Sequence, residues 1–94
     1  MPKLNFDKAH GTTRAEALTK LRELARKFAD QYPKLSVTLN ETSDGAKAKG
    51  KGFKATFSVD DRMARILVDL SFVAIPFKGR IEEGMVRELD KAFA

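Results

Sequence analysis

The sequence contains no cysteine, which excludes disulfides, zinc–thiolate sites, iron–sulfur clusters and thiol nucleophiles, and nothing in it requires an oxidising compartment. Histidine occurs once, at His10. With no second histidine or cysteine to join it, neither a usual metal site nor a nucleophile–base pair can be completed. No apolar run approaches the roughly 18 residues that suggest a membrane span. The opening stretch MPKLNFDKAHG is interrupted by Lys3, Asp7 and Lys8, so no apolar segment suits a signal peptide. These absences set the expectation of a cytoplasmic protein that is not an enzyme and carries no cofactor.

What is present describes an ordinary folded chain. At 94 residues there is room for one domain, spanning 1–94, with one modest core. Hydrophobic residues make up 43% and charged residues 33%, a balance that favours folding over disorder. The net charge of +5 favours acidic partners, whether nucleic acid, an anionic membrane surface or an acidic protein, through attraction that salt screens.

Leu4 and Phe6 alternate with Lys3, Asn5 and Asp7, the period-two pattern of a short strand with one buried face. Beyond Gly11, Thr13-Arg14-Ala15-Glu16 matches a capping box and starts a helix. Ala17, Leu18, Leu21, Leu24, Ala25 and Phe28, extended by Tyr32, form its apolar stripe, and Pro33 ends it. Leu35, Val37 and Leu39 give a strand that closes at the turn Thr42-Ser43-Asp44-Gly45. Ala46, Ala48, Gly50 and Gly52 then hold one parity, and Phe53, Ala55, Phe57 and Val59 the other. A β-bulge near Gly50 to Gly52 within a single strand would return both sets to the same face. After a tight turn at Asp60-Asp61, Ala64, Ile66, Val68, Leu70 and Phe72 form the core face of the next strand. The three successive strands are thus expected as an antiparallel meander. Past Pro76, Phe77, Ile81, Met85, Leu89, Ala92 and Phe93 recur at helical spacing, with Glu82 and Glu83 near the helix start and Gly84 placed for close helix approach. The expected fold is α+β, a two-layer sandwich of order β-α-β-β-β-α, with a mostly antiparallel sheet and both helices on one face.

The residues supply few candidates for chemistry. Asp60-Asp61 reads as a turn and Glu82-Glu83 as a helix start, and His10 is expected to hydrogen-bond a backbone group near the first helix. The most unusual stretch is Asp44 to Lys54, whose Lys47, Lys49, Lys51 and Lys54 form a candidate basic contact face. It lacks the G-x-x-x-x-G-K-[ST] spacing of a phosphate loop. Its lysines serve either as guards against edge-to-edge strand aggregation or as a nucleic-acid or anion contact. The small residues from Ala46 to Gly52 leave little bulk on the inner face, which gives a shallow groove, a sheet end that protrudes beyond the helices, or a closely packed helix. Aromatic RNA platforms are argued against, because Phe53, Phe57 and Phe72 follow the core parity. Met63, Leu67 and Val73 face outward as a candidate apolar patch for self-association or a partner, and a short chain gains core by forming a homodimer.

His10 followed by Thr12-Thr13-Arg14-Ala15-Glu16-Ala17, the glycine-containing central strand leading to Phe53 through Val59, and the closing Ile81-Glu82-Glu83 through Leu89-Asp90 together resemble the polyhydroxyalkanoic acid system family. These are small bacterial proteins associated with polyester storage granules. The resemblance spans nearly the whole chain and departs at the lysine-rich Ala46 to Gly52 segment. It implies a granule-associated accessory role, with the granule surface or a granule-associated protein as partner. It supplies no catalytic residues.

Overall fold

The computed structural model describes residues 3–31, 36–71, 76 and 78–93. Seven elements run in the order β1 (Lys3–Ala9), α1 (Arg14–Gln31), β2 (Thr38–Thr42), β3 (Gly45–Gly50), β4 (Phe53–Val59), β5 (Met63–Leu70) and α2 (Lys78–Ala92). All strand pairs are antiparallel, in one five-stranded sheet of order β1-β5-β4-β3-β2. The first strand therefore closes the far side of the sheet, beside the last. This is the expected α+β sandwich with one strand more than the sequence reading gave.

The extra strand comes from the glycine segment. The change of parity between Gly50 and Phe53 is not a bulge. Gly50 pairs directly with Phe53, so Lys51 and Gly52 are the two loop residues of a hairpin. Gly52 has φ +79°, a conformation open to glycine at little cost. A two-residue loop reverses the chain and restores the inward face at once, which is why its sequence signature matches that of a bulge.

The core lies on one side of the sheet. Phe6, Ala48, Ala55, Phe57, Ile66 and Val68 are buried beneath Leu21, Leu24, Ala25 and Phe28 of α1 and Ile81, Met85 and Leu89 of α2. Burying each large side chain contributes about 1.5–3 kcal/mol. Phe28 meets Phe53 and Phe57 edge-on, with ring centroids 5.4 and 6.3 Å apart, a geometry that suits the ring quadrupoles. Ala46 and Ala48 are buried under α1, so that half of the small-residue run serves close helix packing. Gly84 faces Leu24, Phe28 and Gln31 of α1 across a cavity of about 10 Å³, as its expected packing role requires.

Two details of the helix starts differ from the sequence reading. Glu16 N–H donates to Thr13 Oγ1 (3.2 Å), the first arm of a capping box, but the Glu16 carboxylate accepts from the Thr12 hydroxyl. α2 begins at Lys78, so its first turn carries no acid, and Glu82 and Glu83 lie one turn in. Tyr32, Pro33, Leu35, Phe72 and Phe77, which entered the sequence reading, lie outside the described residues.

Ion pairs fasten both sheet edges to the helices. Glu41 of β2 accepts from Arg26 (2.7 Å) and faces Arg22 (3.5 Å), both on α1. Arg22 also donates to the carbonyls of Thr42 (2.6 Å) and Gly45 (3.3 Å), holding the β2–β3 turn. At the other edge Lys8 of β1 pairs with Asp90 of α2 (3.1 Å).

Candidate interaction surface

Alternation along five paired strands fixes what the second face of the sheet presents. Strand register stacks the outward side chains into rows across the sheet. One row reads Thr38, Lys49, Lys54, Asp69, Lys3, and the next reads Asn40, Lys47, Thr56, Leu67, Asn5. No described helix covers these rows, since α1 and α2 both pack on the opposite face. The open face carries Lys3, Lys47, Lys49, Lys54 and Arg65 against Asp7 and Asp69.

The lysines concentrate on the β3–β4 hairpin, with Lys51 exposed at its tip. Lys49 and Lys54 are direct cross-strand partners, so their side chains start about 5 Å apart, where like charges destabilise a sheet. Of the acids nearby, Asp69 lies across from Lys54 and pairs with Lys3 (3.8 Å), Asp7 pairs with Arg65 (3.9 Å) and Glu41 with the α1 arginines. Among the described residues, none of Lys47, Lys49, Lys51 and Lys54 forms an ion pair. The reading of these lysines as edge guards fails on topology, because β3 and β4 are interior strands and the edges are β1 and β2.

Between the lysine stems the surface dips. Lys3, Lys49, Gly50, Gly52, Lys54 and Ser71 border a trough of about 540 Å³, with Phe53, Asp69 and Leu70 completing its lining. Phe53 and Leu70 are buried residues of the inward face, so the trough wraps around the end of the sheet beside Gly50 and Gly52.

Leu67 projects from the centre of the open face at 38% exposure. Met63 lies on the same side of β5, but Arg65 stands between the two, which divides the apolar patch. Val73 lies outside the described residues. Sequence reasoning missed Val86, exposed to 47% on α2, because a helix stripe does not mark which flanking residue remains uncovered.

The other candidates have structural positions. His10 is buried; its Nε2–H donates to the Asp60 carbonyl (2.7 Å) while Nδ1 accepts from Thr12 N–H (3.2 Å). Both partners together specify the neutral Nε2–H tautomer, and the ring ties the start of α1 to the β4–β5 turn. Asp60 Oδ1 accepts from Arg62 N–H (2.8 Å) and Met63 N–H (2.7 Å), which builds the turn expected at Asp60-Asp61. Those bonds, Met63's first, hold the Asp60 carboxyl below its ordinary pKa. Among the described residues, no group of three or more histidine, aspartate or glutamate side chains could hold a metal ion, and no helix is long and apolar enough to cross a membrane.

Fold and surface together define a small α+β sandwich with one covered sheet face and one open, lysine-rich face. Residues 4–93 match the family described as "Putative polyhydroxyalkanoic acid system protein", and the chain belongs to that family. No curated protein matches the chain.

Proposed function

We propose that this protein is a non-enzymatic accessory factor of the polyhydroxyalkanoate system that works in the cytoplasm. It docks through its open sheet face on the storage granule or on a protein bound to it. The carrying observation is family membership across residues 4–93, joined to a five-stranded sheet whose second face no described helix covers. A docking reading needs an accessible surface, and this fold leaves one. His10 and Asp60, the nearest groups to catalytic candidates, both hold the turn between β4 and β5.

Deleting the gene in a polyester-accumulating host is expected to change granule number, size or protein coat, and tagged protein is expected to sediment with purified granules. Unchanged granules together with a protein that stays in the supernatant would remove the proposal.

A further inference from the structure

We propose that the lysine cluster of the β3–β4 hairpin binds an anionic lipid surface, with phosphate headgroups seated in the trough between Lys3, Lys49 and Lys54. The inference rests on the open face being the docking side and names the chemistry of what it meets.

Three observations carry it. Lys49 and Lys54 face each other across two interior strands, so the arrangement costs stability and guards no edge. Asp69 stands across from Lys54 and pairs with Lys3, while no described acid pairs with Lys47, Lys49 or Lys51, which leaves their charge available to a partner. The trough lies at the foot of those lysines and has room for a phosphodiester headgroup. Asp69 is the one carboxylate among its described lining residues, and it lies between Lys54 and Lys3, pairing with Lys3 at 3.8 Å.

The shape of the face favours a lipid layer over nucleic acid. It is the broad side of a sheet, with no aromatic side chain among its described outward residues to stack on bases. The hairpin cations are all lysines, point charges suited to headgroups, without the arginine fork that reads base edges. Asp7 and Asp69 bound the cluster on the β1–β5 side, which shortens any track for a continuous phosphate backbone. Leu67 sits beside the lysine rows with 38% of its surface exposed, placed to enter the headgroup layer while the lysine stems lie along it.

The test is sedimentation of the full chain with vesicles of phosphatidylglycerol and phosphatidylcholine, with pure phosphatidylcholine vesicles, and with duplex DNA, each at low and high salt. Wild type and a Lys47→Ser, Lys49→Ser, Lys54→Ser variant are compared after circular dichroism confirms that both fold. The expected result is binding to anionic vesicles alone, lost at high salt, and weaker in the variant by about 100-fold, since each lysine at such a surface is worth about fivefold. Equal binding to neutral vesicles, an unaffected variant, or tighter binding to DNA than to anionic vesicles would each overturn the inference. Granule sedimentation that persists while vesicle binding fails would overturn the lipid inference alone and leave the accessory role standing.

Discussion

Two glycines show how one substitution can fail for different reasons. Gly11 has φ +59° with open space around the position of a Cβ, so Gly11→Ala is opposed only by backbone strain, about 1 kcal/mol. A Cβ on Gly45 would lie 1.8 Å from the Phe57 carbonyl oxygen, on the neighbouring strand. That atom belongs to the backbone and cannot rotate away, so β3 and β4 must separate at the turn that Arg22 clamps. Gly45→Ala is therefore expected to cost about 3 kcal/mol, at the upper end for overpacking. Urea unfolding of both variants checks the order, and similar losses would show that the β2–β3 turn yields more readily than its bonds suggest. Neither role is visible in the sequence, where each glycine reads only as a break or a turn.

At the scale of elements the legible features were those with a local period. The stripe from Ala17 to Phe28, the alternation in β1 and β5, and the stripe from Ile81 to Phe93 each predicted a buried face, and those faces are buried. The β3–β4 hairpin was misread because a bulge and a two-residue loop invert parity alike. The distinguishing sign was length: a strand from Ala46 to Val59 would exceed the usual limit of about 10 residues. Contacts that join distant elements left no local signature. Arg22 sits among several charged helix residues, and nothing nearby marks it as the one that reaches the Thr42 and Gly45 carbonyls. One such tertiary contact and one local turn respond to acid. The Arg26 hydrogen bond holds Glu41 below its ordinary pKa of 4.5, and the turn amides hold Asp60 below 3.8. A carboxyl whose folded pKa is depressed contributes stability above its unfolded value and loses it as pH falls through the folded one. The Tm is thus expected to be steady with respect to these two groups above about pH 4.5 and to fall below it. A Glu41→Gln, Asp60→Asn double variant should show a shallower fall in an acid titration followed by thermal unfolding. An identical fall in the variant would place the acid sensitivity elsewhere.

For the whole molecule, the fold and the proposed binding surface make opposite demands on the same lysines. The sandwich needs the β3–β4 hairpin only for its inward side, where Ala46, Ala48, Phe53, Ala55 and Phe57 join the core. The outward side is free to carry charge, and there Lys49 opposes Lys54 at a cost in stability. Lys49→Glu separates the two demands, since it keeps the strand and its inward face while turning a repulsive cross-strand pair into an attractive one. Stability is expected to rise by about 0.2–1 kcal/mol, an increase that shrinks as salt screens the pair. Retention on anionic vesicles should fall in the same protein, because the open face loses one positive charge and gains a negative one. Thermal unfolding and vesicle sedimentation of this one variant at two salt concentrations read both effects. A gain in stability with undiminished vesicle binding would mean that the opposed lysines strain the sheet without serving the surface. A loss of both would mean that Lys49 is held by the fold itself and that the repulsion across the hairpin is relieved in the native protein.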